Sequence, residues 1–270
     1  MTTAGRVDNR ALVESLGRRD GPRLRAYRDN LAFYRGHQWH GSARRRERRL
    51  VFNYARALID KTASYLMSGV SFVVDEEDSS PQEKERAVRA ERALRQVYDA
   101  NDLLQLDFDS EIDVSVLGDG VFKVTWDGLE RRVRVSAPDA QGVYAWWLGD
   151  DVSRVWRVAS RYQLSDEEAR LLYGSTAVRP GRRPAASVGQ RTVVELWTAS
   201  DFELWLDGTL VEAKANPYGF IPFVIFPNLR EPKRDTLSTA TRRTSAPGCQ
   251  STSKLSLPFT TILSMSSTRS

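Results

Sequence analysis

The 270 residues hold a single cysteine, Cys249, and two histidines, His37 and His40. One thiol cannot close an internal disulfide, so the chain is read as a protein of a reducing compartment, held together by burial and hydrogen bonds. Nucleophilic catalysis needs a base within reach of Ser, Cys or Thr, and the usual base is histidine. The two here flank Trp39 in GHQWHG. Their three-residue spacing could bring both imidazoles to one metal, but no cysteine and no HExxH pattern supports it, so both are read as turn residues. No run approaches eighteen apolar residues, and the first thirty residues are charged throughout. A transmembrane span and a secretory signal are therefore not expected, and the chain reads as soluble and intracellular where it is made.

Phosphate-binding and calcium loops are lacking too. No GxxxxGK[ST] occurs, and Gly118-Asp119-Gly120 precedes a strand pattern instead of opening a helix. The series Asp107, Asp109, Glu111, Asp113 resembles the start of a calcium loop, yet Ile112 stands where the loop needs glycine and Gly118 where it needs glutamate. Those carboxylates are read as a solvated helix face. No enzyme, cofactor or metal is expected, and a hydrolase acting through Asp119 or Asp127 is the least supported alternative.

What is present is charge, unevenly placed. Residues 1–50 hold 13 Lys/Arg against 5 Asp/Glu, and residues 75–113 hold 5 against 13. Two solvated faces would account for this, as would like subunits docking basic front to acidic block.

Four helices are expected early in the chain. Pro22–Gly36 has proline at the first helical position, glycine as the stop, and Leu24, Tyr27, Leu31 and Tyr34 at helical spacing. Leu50–Gly69 puts Phe52, Ala55, Ile59, Ala63 and Leu66 on one face and is expected to be the best-buried helix. Ser80, Pro81 and Glu83 form a capping-box sequence ahead of a helix running to Asp102. The stretch from Leu103 to Gly120 recurs at Leu104, Phe108, Ile112 and Val116, a spacing that fits helix and strand, and is assigned to helix.

From Val121 the pattern turns to strands. VFKVTW and LERRVRVSA form a hairpin about Asp127-Gly128; VYAWW, VSRVWRVASRYQ, RTVVELWT, FELWL and TLVEA follow, with Asp207-Gly208 as a second hairpin turn. LSDEEARLLY is one short helix boxed by Ser165 and Glu168. In NPYGFIPFVIFPN, Asn216-Pro217-Tyr218-Gly219 supplies a turn, and Pro222 and Pro227 bound the short strand FVIF. Helices followed by antiparallel strands make an α+β fold. The expected division is a helical part over 1–118, a strand-rich part over 119–234 and a disordered tail over 235–270. Of that tail's 36 residues 17 are Ser or Thr, with no amphipathic period.

The run RRRERR, with Arg44, Arg45, Arg46, Arg48 and Arg49, is either an exposed connector between two helices or a set of phosphate contacts, and the second makes a basic nucleic-acid-binding protein the alternative function. It lacks interleaved aromatics, so such binding would be weak and blind to sequence. Six tryptophans of the strand region, Trp126, Trp146, Trp147, Trp156, Trp197 and Trp205, are read as core and subunit packing before any base-stacking surface.

FYRGHQW, RRLVFNYARALIDKTASYLMSG, VLGDGVFKVTWD and NPYGFIPFVIFPN stand in an order and spacing that resembles portal proteins of tailed bacteriophages, from about Asp20 to Arg234. The resemblance implies a ring-shaped homo-oligomer at one vertex of the virion capsid, assembled in the host cytoplasm, through which double-stranded DNA is packaged and ejected. Terminase and head-completion proteins are the implied partners, with no membrane. The region would be the wing of such a subunit, with Tyr34, Gly36 and Trp39 setting the end of one helix. Asn53, Tyr54 and Lys61 would serve capping or subunit contacts on the next, and Asn216, Pro217, Gly219 and Pro222 would shape the last wing strand. The stem, clip and crown that the family carries next are not matched after Arg234, which points to a shifted reading frame or a truncated prophage copy.

Overall fold

The computed structural model describes residues 9–39, 41, 48–66, 69–75, 80–149, 151–177 and 189–228. They fall into two compact units, 9–21 with 141–221 and 22–140 with 222–228. Helices precede antiparallel strands, the α+β order expected from the sequence. The expected tail over 235–270, with Cys249, lies outside the described residues.

The unit built on residues 141–221 is a five-stranded antiparallel meander, β3 (Val143–Leu148), β4 (Asp151–Ser165), β5 (Gln190–Thr198), β6 (Asp201–Leu206) and β7 (Thr209–Ala215), in that spatial order. β1 and β2 belong to the other unit and are described below. The β6–β7 turn is Asp207-Gly208 with both residues at positive φ, 50° and 76°, the backbone that makes Asp-Gly a preferred two-residue hairpin loop. Between β4 and β5 runs α6 (Asp166–Ala177), interrupted by non-helical backbone at Gly174. Its start is a reciprocal box: Glu168 N–H donates to Ser165 Oγ at 3.2 Å, and Ser165 N–H donates to Glu168 Oε2 at 2.7 Å.

The sequence reading contained no element before Pro22, yet α1 (Arg10–Ser15) and a 3-10 turn (Leu16–Arg18) are integral to this unit. Val13 and Leu16 are buried with Tyr144, Ala159, Val194, Leu196 and Trp205. Two carboxylates are buried in the same unit, and each has donors. Glu195 accepts from Tyr162 Oη and Trp197 Nε1, both at 2.9 Å; Glu203 accepts from Trp205 Nε1 at 3.0 Å and Asn9 Nδ2 at 3.1 Å. Donors of this kind offset the cost of burying polar oxygens.

The second unit packs α2 (Gly21–Tyr34), α3 (Tyr54–Leu66), α4 (Pro81–Ala100) and α5 (Leu103–Leu117) with a three-stranded sheet. Its strands are β1 (Asp119–Asp127), β2 (Arg132–Ser136) and β8 (Phe223–Pro227), in the order β2-β1-β8. Ser80 caps α4, its Oγ accepting from Glu83 N–H at 3.3 Å, with Pro81 as the first helical residue. Leu94, Leu103, Phe122, Val124, Val133 and Val135 form the core, with Phe72, Val74, Val224 and Phe226 packed against it. On α2, buried Arg23 donates to Ala140 O at 3.1 Å and to Tyr27 Oη at 3.3 Å, and Tyr27 donates to Asp119. Burial and then the charge of Asp119 raise the Tyr27 phenol above its ordinary range, so it stays a donor at every physiological pH.

Two expectations are corrected here. α3 is not the best-buried helix: Ala63 is its buried residue, and its largest side chains point outward. Of the face chosen from the sequence, Ala55, Ile59, Ala63 and Leu66 turn inward while Phe52 is exposed; with two alanines that face cannot bury much area, and the bulky stripe lies opposite. Nor is the acidic series of α5 a solvated face throughout. The main inward row is Leu103, Asp107, Ser110, Val114 and Leu117, at spacings of four, three, four and three, and Val116, expected inside, is buried as well. Leu104, expected inside, is half exposed.

Asp107 is 7% exposed, and burial pushes its carboxyl up to about 6, only partly opposed by the hydroxyl of Tyr98 at 3.5 Å. A carboxyl whose folded pKa is raised binds protons more tightly in the native state, so stability falls as pH rises from about 4 through 6. Asp107→Asn should therefore stabilise the protein at pH 7, by about 1–2 kcal/mol. The gain should vanish at pH 4, and urea unfolding at the two pH values reads the difference. An equal effect at both would mean that ionisation of Asp107 has no part in it.

Candidate assembly interface

α2 ends where its sequence says it should. Gly36 takes φ of 90°, a conformation costly for any residue with a Cβ, and its N–H donates to Phe33 O at 2.9 Å. Beyond it, Trp39 Nε1 donates to Leu50 O at 3.2 Å. Asn53 joins the two helices at this corner. Its Nδ2 donates to Tyr34 O, a carbonyl of the last turn of α2, at 2.7 Å, and its Oδ1 accepts from Arg56 N–H in the first turn of α3 at 3.1 Å. One amide thus satisfies an orphan carbonyl of one helix and an orphan N–H of the next. Tyr34 Oη donates to Asp60 Oδ1 at 2.6 Å, and Arg56 reaches Asp60 Oδ2 at 3.4 Å while lying 5.5 Å from the centre of the Tyr34 ring. Burial and the bond to Asp60 hold the Tyr34 phenol above its ordinary value.

This polar clamp supports an apolar outer surface. Tyr54, Leu58, Lys61 and Tyr65 recur at spacings of four, three and four, which places them on one stripe of α3. Tyr54 is 77% exposed, Leu58 69% and Tyr65 71%; Phe52, stacked on Tyr54 at 6.2 Å between ring centres, is 66% exposed. Leu50, Trp39 and Phe33 are exposed as well. Cations border them: Lys61 Nζ lies 4.5 Å from the centre of the Tyr65 ring, and the Arg49 guanidinium 5.4 Å from that of Trp39. An aromatic side chain offers roughly 150–250 Å². At these exposures Phe52, Tyr54 and Tyr65 alone leave roughly 300–500 Å² uncovered, which already matches the largest apolar patch usual on a monomer.

The second group of residues forms a turn between β7 and β8. Asn216 is buried and fully engaged: Nδ2 donates to Thr198 O at 2.7 Å and Phe220 O at 2.8 Å, and Oδ1 accepts from Tyr218 N–H at 3.0 Å. Pro217 is exposed, Gly219 takes φ of 70°, and Tyr218 stacks on Trp197. Pro222 is fully buried and its carbonyl accepts from Val124 N–H at 2.9 Å, after which β8 pairs with β1. Among the described residues this turn is closed by its own hydrogen bonds and holds no convergent group for a ligand.

A family model described as phage portal protein, SPP1 Gp6-like, matches residues 23–238. The chain belongs to the phage portal protein family. Comparison with curated proteins returns no relative at significant similarity. The portal family is structural, not enzymatic, and its match spans both units.

The structure brings Tyr34, Gly36, Trp39, Asn53 and Tyr54 together at the α2–α3 corner, places Lys61 two turns along α3 against Tyr65, and gathers Asn216, Pro217 and Gly219 in the other turn, with Pro222 just before β8. Arg48 is exposed and Arg49 lies on Trp39, while Arg44, Arg45, Arg46 and His40 lie outside the described residues. Among the described residues no group of His, Cys, Asp or Glu converges as a metal site requires, and no helix is long and apolar enough to cross a membrane. Sequence reasoning missed Phe52, Leu58 and Tyr65 as surface residues. The signal was there in the spacing of Tyr54, Leu58 and Tyr65, but the same helix offered a second apolar face and the burial was assigned to that one.

Proposed function

We propose that this portal-family chain is a wing region of a ring subunit at the capsid vertex, the passage for double-stranded DNA during packaging and ejection, with terminase and head-completion proteins as further partners. The family match carries the proposal, and the uncovered aromatic stripe of α3 supports it, since a structural subunit uses such a surface for contact. The motif residues act by holding the corner and the turn in shape: Asn53 as the double cap, Tyr34 and Lys61 as anchors of the surface, Asn216 and Gly219 as the entry to β8. Arg48 and Arg49 add positive charge that would meet nucleic acid only weakly.

The test is light scattering with negative-stain imaging on two chains. One is the 270-residue chain, and the other continues after Arg234 in the alternative reading frame that the Ser/Thr-rich tail suggests. Salt-sensitive association of the first and discrete closed rings of the second are expected. A second chain that stays monomeric at every concentration and salt would remove the ring assignment.

A further inference from the structure

The aromatic stripe of α3 is bordered by one sign of charge. Lys61 stands within it, and Arg48 and Arg35 are exposed; the one carboxylate of α3, Asp60, is already held by Tyr34 and Arg56. A surface that is apolar at its centre and cationic at its rim suits a partner with the same layout and the opposite charge. The same unit carries one. Asp109 and Asp113 are exposed and four apart, which aligns them on one flank of α5, and exposed Asp102 stands just before its first turn. Asp139 adds its charge to that flank, since it and Asp109 act on Asp113 from close by. Together with burial, those two negative charges hold the Asp113 carboxyl above its usual range, so a cation brought to it would relieve repulsion already present in one subunit.

We propose that the basic aromatic stripe of α3 in one copy of the chain docks on the acidic flank of α5 in the next copy. The proposal rests on the ring-subunit reading and names its contact. Because the two patches differ, the contact is heterologous and can repeat head to tail, the kind of interface from which closed rings are made. Burying the stripe supplies the hydrophobic part. Exposed ion pairs add little each, so their part is to select orientation and partner face. A twofold contact of stripe on stripe would instead bring Lys61 and Arg48 against their own copies, and like charges across an interface oppose it.

Disulfide trapping in a Cys249→Ser background tests it. Lys61→Cys and Asp113→Cys chains, tagged to differ in size, are mixed at low salt and oxidised. The mixed dimer should form at least tenfold faster than either dimer of like chains. It should also outpace the mixed dimer of Lys61→Cys with Leu129→Cys, a thiol on the exposed β1–β2 loop. Adding Arg48→Glu to the first chain should slow trapping, and adding Asp109→Lys to the second should restore it. Equal rates for all pairs would overturn the proposal, as would fastest trapping of Lys61→Cys with itself. Rings without preferred trapping would leave the ring reading standing and discard this contact. Preferred trapping in a chain that never forms rings would do the reverse.

Discussion

Leu16→Ala should destabilise the protein by about 3–4 kcal/mol, although Ser15, Gly17 and two arginines flank it in sequence. Leu16 is completely buried in the core of the five-stranded unit, together with Val13, Tyr144, Ala159, Val194, Leu196 and Trp205. The six-residue α1 has too few hydrogen bonds to persist alone, so its position depends on what Val13 and Leu16 bury. Removing three carbons from a site bounded by sheet residues leaves a cavity that the strands cannot close without breaking register. Urea unfolding followed by tryptophan fluorescence reports on this unit directly, because Trp197 and Trp205 are buried in it. Leu171→Ala, at a leucine 85% exposed on α6, is the control and should change stability by less than about 0.5 kcal/mol. If the two leucines cost the same, the N-terminal segment does not belong to this core.

Leu16 also shows where sequence reasoning runs out. Strands with strict alternation and Asp-Gly turns were legible because their signal is local: β5, β6 and β7 fall where RTVVELWT, FELWL and TLVEA put them. Capping boxes at Ser80 and Ser165 were legible for the same reason. α1 was not, since two buried residues in a charged stretch make no period. On α5 the inward face carries Asp107 and Ser110, so a search for apolar recurrence moved the stripe round to Leu104 and Phe108. On α3 the apolar side chains outnumber what one subunit can cover. Burial cannot be assigned from hydrophobicity where one helix carries two apolar faces. The corner clamp was half legible: Tyr34, Asn53 and Lys61 stood out in the motif, but Asp60, which Tyr34 and Arg56 share, carried no local mark.

Gly120→Ala should cost about 2–3 kcal/mol, the range of overpacked cores, and the damage should fall on β8. A Cβ at position 120 would lie 2.4 Å from Val114 Cγ2 and 2.4 Å from Phe226 Cε2, far inside contact distance. Val114 sits buried on α5, where a β-branched side chain has one strongly preferred rotamer, so it cannot turn away cheaply. Phe226 is paired directly with Gly120 across the β1–β8 ladder and packs on Phe122 at 5.2 Å between ring centres. Its ring can yield only by leaving the core cluster or by lifting the strand. β8 is short, sits at the edge of the described sheet beside β1, and is bounded by Pro222 and Pro227. The glycine of VLGDGVFKVTWD and the strand of NPYGFIPFVIFPN are thus two halves of one close approach, a backbone brought against an aromatic ring. Gly128→Ala, in the β1–β2 turn with nothing within 4 Å of the added carbon, should change stability by less than about 0.5 kcal/mol. Unfolding midpoints give the cost, and hydrogen exchange at Val224 and Phe226 locates it, with protection there lost before that of β1. Loss spread evenly over both units, or a Gly120→Ala chain as stable as the Gly128→Ala control, would show that β8 is not seated through this contact.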